Sequence, residues 1–129
     1  MQRIELPNDV IDHIPVPGSE RLVVPFAPLA TRPRADDWYR GRDLLEWFAV
    51  PVYRGILGDY GAHSFYGVSM GGYGACAFCA PAPGVTVVAF VPQSTLDPAK
   101  VPWERRYVQG MAQDWTGPWA YAQESIGTA

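Results

Sequence analysis

Apolar residues come in short runs along this chain, each cut off by proline, glycine or charge. The first clear run, RLVVPFA (Arg21 to Ala27), follows a turn signal at Pro17-Gly18-Ser19 and groups Leu22, Val23, Val24 and Phe26. It predicts a buried strand despite Pro25. The next stretch, PLATRPRADD, carries two prolines and scattered charge and predicts a loop. In RGRDLLEWFAVPVYRGILGDYG, the residues Leu44, Leu45, Trp47 and Phe48 make the buried stripe of a short helix. Pro51 favours a break there, because proline inside a helix removes a hydrogen bond and clashes with the preceding turn. Residues 49–57 read as helix or as strand. His63 to Tyr66 is strand-like, and Met70 to Ala80 predicts a helix that stops at Pro81-Ala82-Pro83-Gly84. VTVVAFV, Val85 to Val91, is the clearest strand, and its unbroken apolar character predicts a parallel strand covered on both faces. A short helix is expected near Trp103 to Met111. Strand, helix and strand over residues 63–91 form a βαβ unit, hence a parallel sheet with a right-handed crossover.

Composition narrows the class. A length of 129 residues, 48% of them hydrophobic, suits a single domain, with loosely ordered termini expected at about 1–18 and 116–129. A net charge of −3 gives none of the basic surface that nucleic acid or an anionic membrane requires. No apolar run approaches the ~18 residues of a membrane span, and MQRIELPNDVIDHIP lacks the apolar core of a signal peptide. A cytoplasmic protein is expected. The two cysteines are too few for a disulfide framework. Thirteen prolines and 13 glycines make up a fifth of the chain and predict short elements with long connections.

The stretch YGVSMGGYGA holds the pattern Gly-x-Ser-x-Gly between a strand and a helix. A serine hydroxyl must protrude from the fold before a carbonyl can reach it, and a sharp strand-to-helix turn presents it that way. Gly67 and Gly71, two residues before and after Ser69, let strand and helix approach closely. Ser69 is the candidate nucleophile. The N–H of Met70, at the start of a helix, is the candidate oxyanion donor. A second donor is expected from the loop after the earlier strand; Pro28 has no N–H, which leaves Leu29 or Ala27.

With the following VTVVAFVPQ and LDPAKVPWERR, this stretch resembles a group of bacterial α/β-hydrolase-like proteins whose elbow reads Gly-x-Ser-Met-Gly-Gly. Upstream, LVVPFAP and GRDLLEWFAVPVY are similar to that group's early strand and first helix-strand unit. The resemblance spans roughly residues 20–108 and is strongest over 66–106. It implies an α/β fold with a small parallel or mixed sheet of three to five strands flanked by helices, with Ser69 as nucleophile and Met70 as oxyanion donor. It also implies chemistry on an ester, thioester or amide.

The chain departs from that pattern in two places. The superfamily orders its triad as Ser, then acid, then His, whereas both histidines of this chain precede Ser69. His63 lies six residues upstream on one strand, on the order of 20 Å away, which rules it out as a base. His13 is a weak base candidate from an unplaced segment. Asp97, after the strand that follows the elbow, is the best acid among Asp97, Glu104, Asp114 and Glu124, although an Asp before Pro98 also reads as a turn former. The second departure is spatial: if VPVYRGI is a strand, the six residues LGDYGA are too few for a parallel crossover. Either residues 41–60 are one bent helix or the strand pairs differently. A shortened copy of the fold, lacking its carboxyl-terminal part, is expected.

Cys76-Ala-Phe-Cys79 reads as helix packing, since a redox pair works best at a helix amino terminus and zinc needs four ligands. Neither cofactor nor metal is expected. Trp103, Trp115, Trp119 and Tyr121, with Arg105 and Arg106 nearby, read as cover for the sheet edge and core, or as a partner surface. The shortened fold predicts exposed apolar surface and a homodimer through it. Two functions follow: a weak serine hydrolase or acyl transferase acting on a small acyl substrate, or a non-catalytic binding domain, or truncated relic, that keeps the elbow as a packing solution.

Overall fold

The computed structural model describes residues 2–5, 9–13, 18–26, 31–33, 36–49, 51–80, 82, 84–117 and 120–121. For residues 2, 9–13, 31–33 and 51–54 the description is of backbone alone.

Three parallel strands carry the fold: β3 (Arg21–Phe26), β5 (Ala62–Val68) and β6 (Val85–Phe90), in the order β3-β5-β6. Phe65 stands between Val24 and Val87, and Gly67 between Phe26 and Ala89. The link from β5 to β6 runs through α3 (Met70–Ala77), so the expected βαβ unit is present. It defines a small α/β fold. Before and beside it, β1 (Gln2–Glu5), β2 (Asp9–His13) and β4 (Thr31–Pro33) make a separate antiparallel sheet in the order β1-β2-β4. Ile4 of β1 packs against the main core.

The crossover from β3 to β5 holds α1 (Arg42–Ala49) and α2 (Pro51–Gly58), which resolves the spacing difficulty. Of VPVYRGI, residues 51–56 are helical and form no strand. Leu44 and Phe48, four residues apart, give α1 one buried face, while Arg42 and Glu46 pair across its exposed face at 2.8 Å. Pro51 opens α2, because a first-turn residue needs no N–H partner inside the helix.

The core lies on one face of the parallel sheet. Phe26 of β3 and Phe65 of β5 point into it, and rings stack from there to Phe78 and Phe48, with Phe48 and Phe78 centred 4.2 Å apart. The opposite face, with Val23, Tyr66, Val68, Val88 and Phe90, is exposed. β6 is therefore not covered on both faces: Thr86, Val88 and Phe90 turn outward while Val85, Val87 and Ala89 turn toward α3.

Other expectations change as well. The segment read as a loosely ordered amino terminus contains the β1–β2 pair, and PLATRPRADD contributes β4. The helix expected at 103–111 shrinks to α4 (Val108–Met111). No helix among the described residues is long and apolar enough to cross a membrane.

Candidate functional site

Ser69 stands between β5 and α3 with φ 53° and ψ −117°. This backbone conformation is costly for any residue with a Cβ, by about 1–3 kcal/mol, and persists only where the surroundings enforce it. They do so here from three sides. The Ser69 N–H donates to the Phe90 carbonyl at 2.9 Å, and its own carbonyl accepts the Tyr73 N–H at 3.0 Å. The glycines supply the third constraint. A Cβ on Gly67 would run into the backbone of Gly71, and a Cβ on Gly71 into the Phe26 carbonyl. One further along, Gly72 faces Pro92 and the Phe90 carbonyl, where a Cβ would sit 3.1–3.3 Å from them.

The start of α3 is thus wedged between the ends of β3 and β6. The Ser69 hydroxyl does not cap the helix it precedes. Met70 is the first residue of α3, so its N–H has no partner within the helix. Val91, just past β6, has φ 45°, an outlier for a β-branched residue. It follows the Phe90 carbonyl that holds Ser69, so two strained residues flank one hydrogen bond.

Leu29 and Ala27, named for the second oxyanion donor, lie outside the described residues. His63 is fully buried, and its Nε2–H donates to the Leu57 carbonyl at 2.8 Å. It sits at the start of β5, beside Leu22 and Val85, at the far end of the strand from Ser69. This buried placement is consistent with its exclusion as a base. His13 ends β2, paired with Gln2 in the antiparallel sheet rather than in the sheet that carries Ser69. Its side chain is outside the described residues.

Each described acid after Ser69 is engaged locally. The Asp97 carboxylate accepts the Ala99 N–H at 2.9 Å, and the Asp97 carbonyl accepts the N–H groups of Lys100 and Val101. This is a turn-forming role. Glu104 accepts the Arg106 guanidinium and the N–H groups of Arg105 and Arg106, and the Arg106 side chain above all holds it down to about 2. Asp114 is lowered by the Thr116 hydroxyl and N–H. Glu124 lies outside the described residues.

Cys76, within α3, and Cys79, two residues past its end and so not part of the helix, are free, buried thiols, and the Cys79 thiol donates to the Cys76 carbonyl. Burial pushes both up, Cys79 to about 11. A buried thiol that stays protonated is a poor nucleophile. We expect neither cysteine to react with iodoacetamide at pH 8 in the native protein, and both to react in denaturant. Intact mass after quenching checks this. Among the described residues no cluster of His, Cys, Asp and Glu could hold a metal ion.

Sequence reading missed the turn that braces α3. Trp38 and Tyr39 have φ 59° and 57°, held by the Tyr39 N–H donating to the Asp37 carboxylate and the Arg40 N–H to the Asp37 carbonyl. Burial raises the Asp37 pKa above the usual carboxylate value. Tyr39 lies against Gly74, and Arg40 reaches the Tyr73 hydroxyl at 3.3 Å, one turn beyond Ser69. Nothing in the spacing of RADDWYR marks these residues as interior. Of the aromatic tail, Trp115 does cover the core, while Trp103 is 72% exposed; Trp119 lies outside the described residues.

Comparison with protein-family models, curated proteins and solved structures returns no match for this chain.

Proposed function

We propose that the protein is an α/β-hydrolase-like acyl-transfer protein in which Ser69 is the nucleophile. The observation that carries this reading is the conformation of Ser69, strained and enforced by the packing of Gly67 and Gly71. An ordinary turn would give a surface serine a relaxed backbone. In the proposed reaction the Ser69 oxygen attacks the carbonyl carbon of an ester, thioester or amide. The Met70 N–H stabilises the oxyanion, which collapses to an acyl-serine. The hydroxyl proton passes through solvent to the departing alcohol, thiol or amine. Water, or a second acceptor, then takes the acyl group and restores the serine proton.

With His63 committed to the Leu57 carbonyl, turnover relies on the oxyanion site and on presentation of the serine. Those effects alone sustain only about 10³-fold acceleration over water in serine hydrolases stripped of their triad. The free thiols agree with the reducing, cytoplasmic setting proposed for the protein.

The placement of His63 also favours a second reading, in which the elbow is retained as a packing solution in a non-catalytic domain. A fluorophosphonate probe separates the two. Under the enzyme reading the intact protein gains one probe mass, slowly, and Ser69→Ala abolishes the gain. Labelling that is absent, or unchanged in Ser69→Ala, leaves the non-catalytic domain.

A further inference from the structure

A parallel sheet is built almost only where both of its faces are covered. In this chain α1 and α3 contribute to the core on one face, and the other presents Val23, Tyr66, Val68, Val88 and Phe90 to solvent. These residues are contiguous across the strands. Tyr66 stands beside Val88, and Val68 beside Phe90, with the Tyr66 and Phe90 rings edge to face at 6.1 Å. We infer that this face is a homodimer interface, in which a second copy of the chain packs its own β3-β5-β6 sheet against the first.

Three features select a second copy as the occupant. The first is chemistry: the patch carries no charge at its centre, so it is complementary to itself, as an isologous interface requires. Among the described residues of the three strands, Arg21 is the charged one on this face, at its margin, and its guanidinium already donates to the Ser64 hydroxyl at 2.8 Å. A partner selected by charge would find nothing here to read. The second is area. Phe and Tyr side chains carry roughly 150–250 Å² each, so Phe90 at 55% exposure and Tyr66 at 39% leave on the order of 200 Å² uncovered. The three valines add a comparable amount. Together they reach roughly half of the ~800 Å² per partner found in a standard interface. Arg21, Ser64 and Thr86 supply the polar rim such interfaces have. The third is shape. Two twisted sheets pack face to face about 10 Å apart with nearly aligned strands, so a short three-stranded face matches its own copy without any rearrangement. The aromatic pair at Tyr66 and Phe90 belongs to the residue class that dominates binding energy.

The inference is independent of Ser69 and its chemistry. It is tested by sedimentation velocity on the full chain over low to high micromolar concentrations. Wild-type protein is expected at twice the mass of the chain. Phe90→Glu places a charge within the apolar patch, beside Val68 and Tyr66, and is expected to raise the dimer dissociation constant at least a hundredfold. Its circular dichroism should remain that of the wild type, since Phe90 is already exposed in a single copy. Val68→Glu repeats the test at a second strand. Val108→Glu, at an exposed valine outside the sheet, should leave the dimer intact. A wild-type protein that stays monomeric through high micromolar concentration overturns the inference. A dimer that folded Phe90→Glu and Val68→Glu both leave unchanged overturns it equally.

Discussion

Gly71→Ala is expected to destabilise the protein by about 4 kcal/mol or more, a loss of the size seen only when a change has no room to relax. The added methyl would meet the carbonyl oxygen of Phe26, which is backbone of the neighbouring strand and not the end of a flexible side chain. Relief requires α3 to lift away from β3, and that opens the contacts among Phe26, Phe48 and Phe78 that fill the core. Gly67→Ala should behave alike, because its methyl meets the backbone of Gly71 itself. For a domain whose total stability is about 0.05–0.15 kcal/mol per residue, either change removes a large part of it. At ~4 °C per kcal/mol for a chain of this size, Tm should fall by roughly 15 °C. Gly55→Ala supplies the contrast. Gly55 lies within α2 with open space where its Cβ would go, so the same methyl should stabilise by about 0.8–1 kcal/mol through helix propensity. Thermal melts of the three variants check the pair of expectations. Equal small effects at Gly71 and Gly55 would mean that α3 does not press on the end of β3, and the packed elbow would go with it.

The parts of this fold that were legible in the sequence are those where local pattern and tertiary environment agree. VTVVAFV is apolar and strand-forming, and it becomes β6. The glycine spacing around Ser69 is legible for a stronger reason: small residues two before and two after a turn have a single structural use, close approach of backbones. Where the chain relies on long-range partners the pattern fails. β2 carries Asp9, Asp12 and His13, and β4 is three residues including Pro33, so neither has a strand-like composition. β2 is defined by its pairing with β1 and β4, and β4 by its pairing with β2, which periodicity does not register. Residues 51–58 illustrate a different ambiguity, since Val52, Tyr53 and Ile56 fit a helical stripe and are also strand-forming residue types; Pro51 fits a helix start better than a central strand. The covered second face predicted for β6 fails because continuous apolarity reports tolerance of burial, not the presence of something to bury it. His63 and Arg40 were illegible because charged or polar residues in short runs are usually solvated, and here both are interior.

Arg40 is a buried charge with a large energetic consequence. It is 4% exposed, and its guanidinium donates from Nε and Nη2 to the Asp114 carbonyl at 3.1 and 3.0 Å, and from Nη2 to the Thr116 carbonyl at 3.1 Å. Its Nη1 reaches the Tyr73 hydroxyl, and the plane lies over the Trp115 ring at 5.2 Å. One side chain therefore ties the 114–116 segment to the turn at 37–40 and to α3. The arrangement depends on a planar fork, since a single group serves two carbonyls and a ring face at once. Arg40→Met keeps much of the apolar volume and removes the donors, leaving the Asp114 and Thr116 carbonyls without them. Hydrogen bonds to a charged group are worth about 1.5–3 kcal/mol each, so the expected loss is roughly 3–5 kcal/mol. Arg40→Lys should recover less than half of it, because an ammonium is a compact donor that does not span both carbonyls. Hydrogen exchange locates the damage. Amides around Trp115, and the Trp115 indole N–H that donates to the Gly110 carbonyl at 2.8 Å, should lose protection first, while β5 and β6 keep theirs up to the global transition. If Arg40→Lys matched the wild type in both stability and exchange, the charge alone would suffice, and the forked contact to the 114–116 segment would not be what secures Trp115 against Tyr73.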